Sequence, residues 1–228
     1  MSTFVLLHGA GDDARGWRYV LPLLSGLGHE VIAPNMPVAD DSAGIAEYAD
    51  AVIDAIGERR DLVLVAQSMA GFVAPIVADA LPVNLIVLVN AMVPLAGESA
   101  GDWWAATGQA DARRASALAD GRDPDAPLDV VDTFLHDVPK DRLAELLAEP
   151  QPPGQSDGPF DKPWPLDRWP DTPTRAIVGL HDRFFPPEFQ RRVLHDRLGI
   201  VPEEINAGHV PALSRPEELT HLLVTYLG

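Results

Sequence analysis

The stretch Leu62-Val63-Leu64-Val65-Ala66-Gln67-Ser68-Met69-Ala70-Gly71-Phe72 constrains this chain more than any other. Its first half is apolar at successive positions, which suits a strand buried on both faces of a sheet rather than a half-exposed one. The run stops at a small residue, a serine follows two positions later, and Ala70 and Gly71 open a helical pattern. A strand that turns straight into a helix doubles the backbone back on itself, so it needs small side chains two positions before and after the serine. The hydroxyl is then left at the tip of the turn, at the C-terminal edge of a sheet and a helix N-terminus. The usual form is Gly-x-Ser-x-Gly, and here Ala66 and Ala70 hold both glycine positions. Taken alone, the pattern allows two readings of Ser68, a nucleophile or a buried helix N-cap.

The surroundings repeat the same alternation. Phe4 to Leu7 reads as a strand ending in the turn-prone His8-Gly9-Ala10-Gly11, and Trp17 to Leu27 reads as a helix. Glu30 to Ala33 is a second strand. Ile45, Ala49, Val52, Ile53 and Ile56 mark a helix over 45–56, followed by the strand Leu62 to Val65, the helix Phe72 to Ala80 and the strand Leu85 to Val89. Doubly apolar strands, each followed by a helix, predict a parallel sheet covered on both sides. From Val93 to about Pro173 the rhythm breaks into tryptophan, proline and aspartate, with helices predicted at Gly101–Leu118 and Pro139–Leu147 and loops at Glu149–Gly154 and Trp164–Pro170. It then resumes: strand Arg175 to Gly179, helix Pro187 to Leu198, strand Glu203 to Asn206 and helix Pro216 to Tyr226. An insert at the C-terminal ends of a parallel sheet lies where ligands bind. The expected organisation is a core over 1–92, a cap over 93–173 and the rest of the core over 174–228.

Composition narrows the function. The net charge of −17 argues against nucleic acid or an anionic membrane surface as a partner. With no cysteine, a thiolate nucleophile, a disulfide framework and a zinc–cysteine site are all excluded. The N-terminus lacks a basic segment and no apolar run approaches a membrane span, so a cytoplasmic protein is expected.

A serine needs a base to remove its proton, and the base needs a group to orient it. His209, in Ala207-Gly208-His209-Val210-Pro211, lies on the loop after the last predicted strand and can reach the serine turn. The acid should sit on a neighbouring strand end. Asp182, in Gly179-Leu180-His181-Asp182-Arg183-Phe184-Phe185-Pro186, meets that requirement, whereas the end of Leu85–Val89 offers only Asn90. Competing readings are a loop histidine and an aspartate capping the next helix. Acyl transfer also needs donors for the developing oxyanion, and the backbone N–H groups of Met69 and Ala10 are placed to supply them. The order Ser68, Asp182, His209 is the one expected for this layout.

Over essentially its full length the chain resembles the α/β-hydrolases, through Phe4–Gly11, Ala66–Gly71, Gly179–Pro186 and Gly208–Pro216. Its opening Phe-Val-Leu-Leu-His-Gly-Ala-Gly and the spacing to Trp17 are similar to the small branch containing plant methylesterases and hydroxynitrile lyases. The resemblance implies an α/β fold with a mostly parallel sheet of about six strands, flanking helices, a helical cap, a Ser/His/Asp triad and no cofactor. Antiparallel strands that open longer family members are not expected. In the lyases a lysine follows the histidine; here it is Val210, which leaves ester hydrolysis as the expected chemistry. Trp103, Trp104, Phe134 and Trp164 in the insert are candidate pocket walls for small, largely apolar or aromatic esters. Lyase, perhydrolase or cyclase use of the same residues, or a binding protein with vestigial activity, would share this pattern. The oligomeric state stays open, with a homodimer among the options.

Overall fold

The computed structural model describes residues 1–152 and 154–228; Pro153, within the loop expected over Glu149–Gly154, lies outside them. The elements in order are β1 (Thr3–Leu7), a 3-10 turn (Ala14–Trp17), α1 (Val20–Gly26), β2 (Glu30–Ile32), α2 (Ile45–Ile56), β3 (Leu62–Gln67), α3 (Ala70–Ala80) and β4 (Val83–Val89). The insert carries α4 (Ala100–Thr107), α5 (Gln109–Ala119), α6 (Val130–Phe134), α7 (Lys140–Ala148) and α8 (Gly158–Asp161). β5 (Thr174–Gly179), α9 (Pro187–Leu198), β6 (Glu203–Ile205), α10 (Pro211–Ser214) and α11 (Pro216–Thr225) follow.

The six strands pair in the order β2-β1-β3-β4-β5-β6, all parallel. Side chains alternate across a strand, and this alternation sorts the apolar runs into two cores. Phe4, Leu6, Val63, Val65, Val87 and Val89 face one side, where they join Trp17, Val20, Leu219 and Leu223 from α1, α11 and the preceding turn. Val5, Leu7, Leu64, Ala66, Ile86 and Leu88 face the other, packed with residues of α2, α3 and α9. Uninterrupted apolarity is thus the mark of a strand with helices on both sides. The chain leaves β1 toward β2 and returns to β3 on β1's other flank, so the strand order reverses between β1 and β3. In open parallel sheets, ligands bind beyond the strand ends at such a reversal.

Two helices differ from expectation. The one expected over Trp17–Leu27 begins only at Val20, because Trp17 ends the 3-10 turn and is buried in the core. The one expected over Gly101–Leu118 is two helices. Gly108 takes a left-handed conformation (φ 69°) that ends α4 and starts α5, a geometry glycine adopts without steric cost.

The serine turn depends on Gly71 as well as on its two alanines. Ala66 and Ala70 are wholly buried, and the backbone after β4 runs against the turn, with Met92 N–H donating to Ser68 O at 2.9 Å. A Cβ on Gly71 would collide with the Met92 carbonyl oxygen. Gly71→Ala is therefore expected to cost about 1–3 kcal/mol or more, as overpacking of a rigid interior does. Urea unfolding would measure it, and an unchanged midpoint would show that the β4 loop can retreat.

Candidate active site

Ser68 follows β3 directly and holds a positive φ of 54°, a conformation that costs a side-chain-bearing residue about 1–2 kcal/mol. The strain is localised at the residue whose hydroxyl must project from the turn. Met92 and Gly71 N–H groups both bind the Ser68 carbonyl, and Ser68 N–H donates to Val89 O at 3.2 Å. On the other flank Gly9 packs flat on the turn; a Cβ there would strike Gln67 Oε1 and lie 3.0 Å from Ser68 Cβ.

The loops after β5 and β6 bring Asp182 and His209 to this point. Asp182, an acceptor only when ionised, takes the His209 Nδ1–H on its Oδ2 at 2.7 Å, which leaves Nε2 free to accept from Ser68 Oγ–H at 3.1 Å. All three are nearly closed off from water, at 8% exposure for Ser68, 2% for Asp182 and 3% for His209. Asp182 Oδ1 accepts from Phe184 and Phe185 N–H, both at 2.8 Å, so the carboxylate is fixed at both oxygens. Asp182 does not cap α9, whose N-cap position is Pro186; its Oδ1 instead closes the turn ahead of that helix while its Oδ2 faces His209.

The histidine loop has its own braces, which the sequence reading did not foresee. Asn90, dismissed there for want of a carboxylate, donates from Nδ2 to Gly208 O (3.0 Å) and His209 O (2.9 Å) and accepts from Gly179 N–H (2.7 Å). Gln190 Nε2 reaches Asp182 Oδ2 at 3.3 Å. From the insert, Asp137 Oδ2 accepts Gly208 N–H at 2.6 Å and His136 Nε2 lies 3.0 Å from His181 O. The insert is therefore tied to the loops bearing both Asp182 and His209.

Ala10 and Met69 line the cavity beside Ser68, and among the described residues neither backbone N–H has a protein acceptor. The turn holding Ala10 is set by His8. Its Nδ1–H donates to Gly9 O at 2.9 Å and its Nε2 accepts Met36 N–H at 3.1 Å, which fixes a neutral ring. Burial pushes the His8 pKa below its ordinary value, outweighing its bond to Gly9 and the nearby Asp12 and Asp13. The unfolded chain then takes up a proton first, so this contribution to stability is complete above pH 6.5 and is lost as pH falls from there toward the folded value. His136, lowered by burial and by Arg183, acts in the same direction. His8→Gln retains an acceptor for Met36 N–H without a titrating ring. Its thermal midpoint should fall less than the parent's between about pH 7.5 and 5.5, and equal slopes would remove His8 as the cause.

Above Ser68 opens a cavity of about 470 Å³. Trp104 and Phe134 line it, as do Phe184, Phe160 and Met92. Phe134 and Phe184 stand edge-on to the His209 ring, at 5.3 and 5.4 Å between centroids. Trp103 and Trp164 do not line the cavity. Both are buried in the core, where their indole N–H groups donate to Val93 O and Phe72 O, each at 3.0 Å. Trp164 thereby ties the insert to α3, and Trp103 packs on Phe185 and Phe189. At the rim, Arg18 and Arg15 from the β1–α1 connection grip Glu149 of the insert, at 2.5 and 3.2 Å. No helix among the described residues is long and apolar enough to cross a membrane.

A family model described as the alpha/beta hydrolase family matches residues 4–222. Methylesterase 9 of Arabidopsis thaliana is 30% identical over 106 residues, an alignment covering 41% of this chain and 41% of that protein, so the match spans about two fifths of the relative's length. Among solved structures, polyneuridine aldehyde esterase superposes with a TM-score of 0.75 at 22% identity, covering 100% of both chains. A pyrethroid hydrolase from Sphingobium faniae gives 0.72 at 21%, covering 99% of this chain and 96% of that one. At these identities the two structures speak for the fold.

Proposed function

The chain belongs to the alpha/beta hydrolase family, and we propose that it is a serine hydrolase that cleaves small, largely apolar or aromatic carboxylic esters through an acyl-enzyme. The observation that carries this is the continuous relay from Asp182 Oδ2 through His209 to Ser68 Oγ, at 2.7 and 3.1 Å, at the floor of an apolar cavity. Ser68 Oγ attacks the ester carbonyl carbon as its proton passes to His209 Nε2. The carbonyl oxygen becomes an alkoxide facing the Ala10 and Met69 N–H groups, which have no protein acceptor to give up. When the tetrahedral intermediate collapses, the bond to the alcohol oxygen breaks and His209 returns the proton to that oxygen. Water then takes the alcohol's place, giving a proton to His209 as its oxygen attacks the acyl carbon, and the acid leaves as the bond to Ser68 Oγ breaks and His209 returns that proton to Oγ. Asp182 stays ionised throughout and holds the imidazolium formed in both halves.

Residues 93–173 act as the cap, supplying Trp104, Phe134 and Phe160 to the walls. Relatives named as esterases, including Methylesterase 9, agree with this reading. A fluorophosphonate probe tests it together with a panel of p-nitrophenyl esters. Labelling should fall on the peptide bearing Ser68 and should abolish turnover of every ester the protein cleaves. Labelling of Ser68 with no ester turned over would instead point to a hydrolase-fold binding protein.

A further inference from the structure

The charged side chains lining the cavity are nearly all paired. Arg15 gives its Nε and Nη2 to Asp13 and its Nη1 to Glu149 and Pro150 O, while Arg18 holds both Glu149 oxygens. Gln67 Nε2 is bound to His209 O, and Ser68 and His209 are bound to each other. Asp12 is the exception. It lines the cavity, its Oδ1 accepts Asp13 N–H at 2.8 Å, and its Oδ2 has no hydrogen-bond partner among the described residues.

Neither neighbouring base supplies what Asp12 lacks. His8 is held neutral, with both ring nitrogens occupied by the backbone, and the Arg15 guanidinium is committed elsewhere. Room for the carboxylate comes from Gly16, where a Cβ would lie only 2.5 Å from Oδ2. Withdrawal from water pushes the Asp12 pKa up, the mark of a charge for which the fold provides too few donors. A half-buried carboxylate among the residues lining a ligand cavity, with one oxygen lacking a donor, is suited to a donor that arrives with the ligand.

We propose that Asp12 Oδ2 is a subsite for a hydrogen-bond donor on the substrate, and that the preferred ester carries a protonated amine on an otherwise apolar body. This deepens the ester-hydrolase reading and rests on it. The net charge of −17 also favours the approach of a cation over that of an anion. A hydroxyl can make the same hydrogen bond without the charge, so hydroxy esters rank between ammonium and unsubstituted ones.

The test uses methyl esters of ω-amino, ω-hydroxy and unsubstituted straight-chain acids of about four to eight carbons, followed by proton release. At the matching length the ammonium ester should exceed the unsubstituted one in kcat/KM by about tenfold or more, the scale of a hydrogen bond to a charged group. Asp12→Asn keeps an oxygen for Asp13 N–H and turns the free oxygen into an N–H donor, so the ratio should collapse to one or below. Because the readout is a ratio within each protein, a general loss of activity cancels. No ammonium advantage at any length, or one that survives in Asp12→Asn, overturns the proposal. Absence of turnover for all three series and for the p-nitrophenyl esters would sink the ester-hydrolase reading separately. Calorimetric binding of hexylamine against hexanol then decides on Asp12 alone: tighter binding of the amine by the parent supports the subsite, and equal affinities overturn it.

Discussion

If Ser68 is the nucleophile as proposed, Ser68→Ala is expected to lower kcat for p-nitrophenyl acetate by at least about 10³-fold, the loss that follows removal of a nucleophile acting within a triad. The size of the effect follows from what else the cavity offers. Ser68 carries the only hydroxyl among the described side chains lining it, and the chain has no cysteine. No second nucleophile lies within reach of His209, so the remaining rate would come from the oxyanion donors and binding alone. The same position allows chemistry to be separated from folding. Alanine inherits the positive φ of Ser68 and its cost, whereas glycine adopts that conformation freely. Ser68→Gly should be as inactive as Ser68→Ala yet more stable by about 1 kcal/mol in urea unfolding. Full turnover by either variant would end the serine-hydrolase reading. Equal stabilities would show that the turn relaxes when the serine is removed.

The legible parts of this molecule were those where a local rule and the tertiary structure agree. The buried strands announced themselves because burial on both faces leaves no room for polar residues, and helix 45–56 because its apolar stripe keeps a helical period. The serine-turn motif and the strand ends then put Ser68, Asp182 and His209 at one edge of the sheet, so the three could be named as candidates from motif, residue type and order together. What escaped depends on partners distant in sequence. Trp103 and Trp104 are adjacent, yet one is a core anchor and the other a cavity wall. The difference lies in whether an indole N–H finds a carbonyl, which no local pattern encodes. Asn90 looked inert because it lacks a carboxylate. Its role comes from accepting at the end of β5 and donating to the loop after β6 at once, which an amide can do and a carboxylate cannot. The pairing of Glu149 with Arg15 and Arg18 likewise joins groups more than 130 positions apart. Gly108 was invisible for the opposite reason: a glycine inside a helical pattern is tolerated often enough that the break it makes is not signalled.

The acid offers the second large effect, and its geometry specifies which way the replacement acts. Asp182→Asn is expected to lower kcat by about 10⁴-fold with little change in KM, the loss that accompanies a wrong histidine tautomer. Asp182 Oδ1 is held by two backbone N–H groups, from Phe184 and Phe185. An asparagine must turn its oxygen toward those two donors, because its NH2 cannot accept from them. The NH2 then faces His209 Nδ1, where the carboxylate had accepted a hydrogen bond. Nδ1 is forced to become the acceptor, the ring proton moves to Nε2, and Nε2 points an N–H at Ser68 Oγ instead of a lone pair. The ring stays in place and the cavity is unchanged, so substrate still binds while the base is lost. Asp182→Ala, by contrast, leaves Phe184 and Phe185 N–H unsatisfied in a buried turn and should also lower stability, by about 1–3 kcal/mol. Steady-state kinetics of the two variants beside their unfolding curves separates the tautomer effect from the loss of the turn. Retention of more than about a tenth of the parent's kcat in a folded Asp182→Asn would remove Asp182 from the relay.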